Sequence, residues 1–229
     1  PWAWPRPSLS GDTWTPSGDD STILNTDINS KLEGGTNVTI TTEGAGSQIG
    51  DVTIASAITK SSGDTDVTLT VNAANSIVVN TGISNTGGAG KLHVTLDADN
   101  NSGTGDGAGI ILLNGNISTG GGDLNFGTGR TASINSVNTL VGGDVYVSDP
   151  GSAVTLTTGG GDVSVQGEMI IGNDDGLSIS TSNGNVSFYG ILNSGNSYSY
   201  TSNGTLFWSQ AEAAAKGVTD GGAGAGDTY

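Results

Sequence analysis

The chain has 229 residues, with 22 acidic and six basic side chains, a formal net charge of −16, 40 glycines and no cysteine. So acidic a surface repels nucleic acid and anionic membranes, and without cysteine there is neither a disulfide framework nor a thiolate metal site. No apolar run approaches the roughly 20 residues that cross a bilayer, so no membrane insertion is expected. Glycine this abundant beside three Phe, five Tyr and four Trp would suit low-complexity sequence. Short alternating runs of Val, Ile, Leu and Thr along most of the chain argue instead for a folded β protein.

Residues 1–20, PWAWPRPSLSGDTWTPSGDD, hold three of the four tryptophans and four of the five prolines. Prolines at 1, 5, 7 and 16 exclude a helix and favour an extended, polyproline-like arm. Two readings of the arm stand side by side. It is a strap over the open end of the fold, or it docks on another subunit through Trp2, Trp4 and Trp14. The chain begins at Pro1 without a recognisable signal peptide and is read as a processed or excised piece of something larger.

Residues 21–206 carry a repeat. A glycine-rich turn, then Asp or Asn, then an alternating apolar strand starts at Asn37, Asp51, Asp66, Asp123, Asp144, Asp162 and Asn185, with Lys91 in the same role. Further short strands lie between, at Ser76 to Asn80, Gly109 to Asn114, Ala153 to Thr157 and Leu177 to Ser180. Intervals near 20 residues, several short strands per interval and glycine corners are the pattern of a β-solenoid. Val38, Ile40, Val67, Leu69, Leu92, Val94, Val145, Val147, Val163 and Val165 should then point inward, with Thr, Ser, Asn and Asp facing water. Glycine supplies the positive φ of sharp corners, and the Asp or Asn bonds the backbone of its own turn. An antiparallel sandwich is the alternative architecture.

Asp66 to Asn100, DVTLTVNAANSIVVNTGISNTGGAGKLHVTLDADN, followed by Gly109 to Gly127, GIILLNGNISTGGGDLNFG, resembles the filamentous-haemagglutinin-like exoproteins. The likeness extends over roughly Asn37 to Phe188. It implies an all-β, right-handed parallel β-helix, export by two-partner secretion and an adhesive or structural role at the surface of a Gram-negative bacterium.

Residues 207–229 break the pattern. Phe207 to Gly217 is the only good helix signal, with Ser209 and Glu212 as a capping box and Gly217 as the stop. The rest is a glycine-rich tail. The W-S-x-A-E-A-A-A run with the later GDTY is similar to the opening of C-type-lectin-like domains. No sugar or calcium motif of that family follows before Tyr229, so no lectin activity is carried over.

Chemistry-bearing patterns are sparse. His93, the single histidine, stands at an outward position between Leu92 and Val94 and reads as a surface group. The basic residues Arg6, Lys31, Lys60, Lys91, Arg130 and Lys216 are scattered, against a β-helix enzyme acting on an acidic polysaccharide. Asp97, Asp99, Asn101 and Asp106 share one loop and form a candidate calcium site, although Ser102 and Ala108 depart from the EF-hand pattern and a solvated loop is the simpler reading. GNDDG at Gly172 to Gly176 is weaker. Sequons occur at Asn37, Asn100, Asn116, Asn185 and Asn203, as expected by chance in so Asn- and Ser-rich a chain. Thr-x-Thr pairs at Thr39/Thr41, Thr68/Thr70 and Thr155/Thr157 raise ice binding, but their irregular spacing favours ordinary outward strand positions.

The expected function is a non-enzymatic extracellular unit of a surface fibre, sheath or stalk that self-associates end to end. The alternative is an adhesin segment binding a glycan or protein on another cell. A polysaccharide-active enzyme ranks third. No cofactor is expected beyond the calcium candidate.

Overall fold

The computed structural model describes residues 6–44, 46–100, 109–128, 130–134, 137–141, 143–147, 153–171, 177–189, 192–194, 198–202 and 206–208. The described arm is a hairpin rather than a polyproline-like run. β1 (Ser8–Ser10) pairs antiparallel with β2 (Thr13–Thr15), and Gly11 at φ 61° makes the turn. Helix α1 (Asn25–Glu33) follows.

From there the chain visits three sheets in fixed rotation. The first circuit is β3 (Val38–Thr41), β4 (Val52–Ile54) and β5 (Ile58–Lys60). The second is β6 (Val67–Asn72), β7 (Ile77–Val79) and β8 (Ile83–Asn85). The third is β9 (Leu92–Asp97), β10 (Ile110–Leu113) and β11 (Ile117–Ser118). The fourth begins with β12 (Leu124–Phe126), leaves for the antiparallel pair β13 (Arg130–Ile134) and β14 (Val137–Val141), and returns as β15 (Asp144–Val147) and β16 (Val154–Thr157). Then come β17 (Val163–Val165), β18 (Met169–Ile171) and β19 (Leu177–Ser182), and β20 (Val186–Phe188), β21 (Leu192–Ser194) and β22 (Tyr198–Ser202). β23 (Leu206–Trp208) starts a further circuit.

Each strand pairs in parallel with its equivalent one circuit on, so the three large sheets are stacks of circuits. This excludes the antiparallel sandwich, because a chain returning to the same sheet after a full circuit arrives in the same direction. The register aligns the inward residues in columns. In the first sheet one column runs Val38, Leu69, Val94, Leu124, Val163, Val186. The second and third sheets add Val52, Ile77, Ile111, Val145, Met169 and Ile58, Ile83, Ile117, Leu156, Ile179. The ten residues expected to point inward are all buried, none more than 8 % exposed.

Two expectations about helices are corrected. α1 lies inside the stretch read as strands only. It is mostly polar, and its one apolar pair, Ile28 and Leu32, is too short a pattern to stand out. Both side chains are buried against the first circuit, which makes α1 a lid on that end of the core. At the other end Phe207 and Trp208, expected to open a helix, belong to β23 in parallel register with Ser187 and Phe188. Ser209 to Gly217 lie outside the described residues.

Candidate functional site

The corner between the third and first sheets is where polar side chains concentrate inside the fold. Thr119, Thr158 and Thr181 occupy inward positions and are fully buried. Each hydroxyl donates to the carbonyl oxygen three residues on, that of Gly122, Gly161 and Gly184. One circuit below Thr119, Asn85 Nδ2 donates to the carbonyl of Gly90 at 3.0 Å. Below that, Lys60 is wholly buried and its Nζ donates to the carbonyls of Gly63 at 2.8 Å and Gly90 at 2.9 Å. Lys60, Asn85, Thr119, Thr158 and Thr181 thus supply one inward donor per circuit for the carbonyls of this corner. The shared signal is Lys- or Thr-x-x-Gly ahead of the next strand, as in KSSG, TGGG and TSNG. The sequence reading marked the glycines and passed over the donor three residues earlier.

Many glycines take the positive φ expected of corners, such as Gly63, Gly120 and Gly159, and others serve a second purpose. A Cβ at Gly161 would run into the Gly122 carbonyl oxygen, and one at Gly184 into that of Gly161. At these positions the stacking of circuits, not a positive φ, demands glycine. The left-handed corners lie two residues before, at Gly159 and Ser182.

The carboxylates and amides at strand starts, expected to bond their own turns, reach across to the next circuit. They accept from the backbone N–H of the neighbouring circuit. Asn37 Oδ1 accepts from Thr68 at 2.8 Å, Asp66 from Lys91 at 2.8 Å, Asp123 from Asp162 at 2.9 Å and Asp162 from Asn185 at 2.7 Å. Asp51, Asp144 and Asn116 do the same at the other corners, for Ser76, Glu168 and Thr155. The reason is geometric: a strand-start N–H at the corner has lost its ladder partner, and the short Asx side chain spans the inter-circuit gap of about 4.8 Å. His93 fills one rung of this series. Its Nδ1 accepts from the Asp123 N–H at 3.0 Å, so the neutral ring carries its proton on Nε2. The Asp123 carboxylate lies 3.3 Å from Nδ1.

Two exposed carboxyl groups are held below their ordinary values. Glu33 is lowered by the Ser61 hydroxyl and N–H, with the Lys60 charge assisting. Asp19 is lowered by the Ser47 N–H and hydroxyl. Glu33 ends α1 and Ser61 follows β5, so this contact ties the lid to the first circuit.

The outer faces differ. On the first sheet Thr13, Thr39, Thr70, Thr95, Asn125 and Ser164 stand in register, and on the third Thr59, Ser84, Ser118, Thr157 and Ser180 do. One member of each Thr-x-Thr pair, Thr39, Thr70 and Thr157, falls into these columns. On the second sheet the equivalent column runs Thr53, Val78, Leu112, Tyr146, Ile170 and Asn193, and its middle four residues, Val78, Leu112, Tyr146 and Ile170, are partly exposed.

The calcium candidates are placed as follows. Asp97 and Asp99 are buried, and the Asp97 carboxylate accepts from Asn100 Nδ2 and the Thr128 hydroxyl, each at 3.0 Å. Asn101, Asp106 and the GNDDG stretch lie outside the described residues. Among the described residues no group of three or more His, Asp or Glu is placed to hold a metal ion. Trp14 is 6 % exposed, buried in its own chain's core above Ile40, whereas Trp2 and Trp4 are outside the described residues. Of the sequons, Asn37 and Asn116 are engaged between circuits, and Asn203 is not described. No helix among the described residues is long and apolar enough to cross a membrane.

Compared with protein-family models, curated proteins and solved structures, the chain matched none.

Proposed function

We propose that the circuits wind as a right-handed parallel β-helix and that the chain is a non-enzymatic structural unit of an extracellular bacterial fibre, sheath or stalk. The observation that carries this reading is the asymmetry of the stack. One end is covered by α1 and the β1–β2 hairpin, while at the other the repeat runs on in register to β23. Right-handedness follows from the strong bias of parallel crossover connections. The likeness to filamentous-haemagglutinin-like exoproteins supports the surface setting. Head-to-tail contact places the outer edge of β1 and the exposed Leu24 against the β23 end of a neighbour. Unlike ends that do not close on themselves generate a filament. Electron microscopy of the purified chain is expected to show fibres that lengthen with concentration. Isolated rods about 30 Å long, as six circuits at about 4.8 Å would give, at every concentration would overturn assembly.

A second reading, an adhesive segment, is favoured by the Val78, Leu112, Tyr146 and Ile170 column, which replaces hydroxyls by apolar groups on one face only. Such a column suits a protein partner better than a glycan.

A further inference from the structure

The first circuit presents three strand edges at the lidded end, and the fold answers two of them. β3 takes β2 as a parallel neighbour. β5 has no strand on that side among the described residues, and α1 serves in its place. Asn25 Nδ2 donates to the Ala57 carbonyl at 2.9 Å, Asn29 Oδ1 accepts from the Thr59 N–H at 2.9 Å, and Glu33 Oε1 accepts from the Ser61 N–H at 3.1 Å. The spacings match, because four residues of helix rise about 6.0 Å and two residues of strand about 6.6 Å. One face of α1 thus stands in for a strand along β5.

β4 has neither kind of cover. It ends the second sheet, with β7 as its one strand neighbour among the described residues. The Val52 N–H donates to the Ser76 carbonyl at 2.9 Å and the Ile54 carbonyl accepts from the Asn80 N–H at 3.1 Å, so Val52 and Ile54 face β7. Alternate residues of a parallel ladder face opposite sides, so the Thr53 N–H and C=O point off the edge of the sheet. Asp51, Thr53 and Ala55 are exposed, and Ile49 just before them is 71 % exposed. An edge of this kind is a template for an added strand.

We propose that the open edge of β4 is a docking site for an extended segment of a partner protein, apolar at alternate positions and basic at the end that lies beside Asp51. The edge fixes the extended backbone, and its surroundings fix the side chains. The inward residues of an added strand fall below Val52 and Ile54, at the foot of the apolar columns. The loop leading into β4 opens at Glu43 and is held by two carboxylates: Asp19 accepts from the Ser47 N–H at 2.6 Å and Asp20 from Gln48 Nε2 at 2.7 Å. No basic residue occurs from Leu32 to Thr59. Carboxylates therefore dominate that end of the edge and select a cation in the partner.

A second copy does not fit. It carries the same charge of −16. Were its β21 to continue the sheet at β4, then β3, of the same circuit as β4, would fall where that copy's β23 already stands. Contact of β1 with a neighbour's β23 instead leaves three strands of the first sheet, β23, β1 and β2, between the circuits of β21 and β4. Assembly through the first sheet therefore does not use this edge, and the site stands whether or not the chain forms fibres.

The test titrates a fluorescein-labelled peptide, Lys-Val-Thr-Val-Thr-Val-Lys, with the full chain and reads anisotropy. Lysines at both ends serve either strand direction. Binding is expected, and added salt should weaken it. Thr53→Pro removes the outward N–H and should weaken binding at least about tenfold, as the loss of one or two hydrogen bonds implies. That N–H has no partner in β7, so the fold is kept, and an unchanged circular dichroism spectrum checks it. Two further probes need no variant. The peptide with its backbone amides methylated, and the peptide with glutamates for lysines, should each bind at least about tenfold more weakly. Absence of binding by the first peptide, or equal binding by either altered peptide or to a folded Thr53→Pro, would overturn the proposal. So would a dimer in light scattering that Thr53→Pro dissolves, because the occupant would then be a second copy.

Discussion

Thr158 and Gly161 show at the scale of single residues what the recurring glycine-rich turn does. Gly161 lets the circuits approach, and its carbonyl, turned inward, is satisfied by the Thr158 hydroxyl. Thr158→Val keeps the shape and removes the donor, so the buried carbonyl is left unpaired at a cost of about 1–3 kcal/mol. Thr158→Ser should recover most of that loss in urea unfolding; equal losses for both would mean that the hydroxyl is idle. The faces of a strand separate as sharply. Val163 is fully buried and Ser164 outward, so Val163→Asp buries a carboxylate at a cost of several kcal/mol, while Ser164→Asp leaves it hydrated. Melting temperatures should differ by well over ten degrees, and equal values would contradict the assigned register. Alternation made those faces legible from sequence. The inward position of Lys60 was not legible, because a lysine at the end of a short strand reads as solvated until the carbonyls of Gly63 and Gly90 are seen to meet it.

At the scale of elements, α1 and the loop bearing Ser47 are fastened by carboxylates. Glu33 and Asp19 both have native values below their ordinary ones of 4.5 and 3.8, because Ser61 and Ser47 donate to the charged forms. A depressed native value stabilises the fold fully above the unfolded-state value and ceases to do so as the pH falls through the native one. Stability should therefore hold from neutrality to about pH 4.5 and decline below it, the Glu33 contribution first. Glu33→Gln should flatten the upper part of that decline in thermal melts taken across pH; an unchanged profile would place the acid sensitivity elsewhere. Both groups are exposed, so the effect of each is small. α1 escaped the sequence reading because Ile28 and Leu32 acquire meaning only when the open end of the core is there to receive them. β23 replaced an expected helix for a related reason. Its pairing with β20 offers backbone partners that outweigh the local helix preference of a Phe-Trp-Ser run.

At the scale of the molecule the stack is quasi-one-dimensional: each circuit touches the one before and the one after, and stability is a sum of neighbouring contacts. The charge of −16 must be read against that geometry. Five of the 22 acidic residues, Asp51, Asp66, Asp123, Asp144 and Asp162, sit at corners and serve as inter-circuit acceptors. Acidity is thus partly a by-product of building corners from short acceptors, and self-repulsion along the rod is its cost. Added sodium chloride should raise the melting temperature by screening that repulsion and, under the proposed end-to-end assembly, should lower the concentration at which fibres form. A melting temperature that falls between low and physiological salt would show that attractive ion pairs dominate instead.

Hydrophobic alternation and its recurrence determined, from the sequence alone, an all-β chain of repeated turns and the identity of its inward residues. Those are local properties, because a strand's side chains alternate whatever it pairs with. The tertiary structure decided the rest. It chose the parallel stack that the repeat favoured over the antiparallel sandwich, and the lid at one end and the partners of Asp66, His93 and Lys60 all depend on which residue lies one circuit above another. That register is set by corners of unequal length, from the three residues between β4 and β5 to the twelve between β9 and β10, and no short-range rule in the sequence specifies how such unequal corners align.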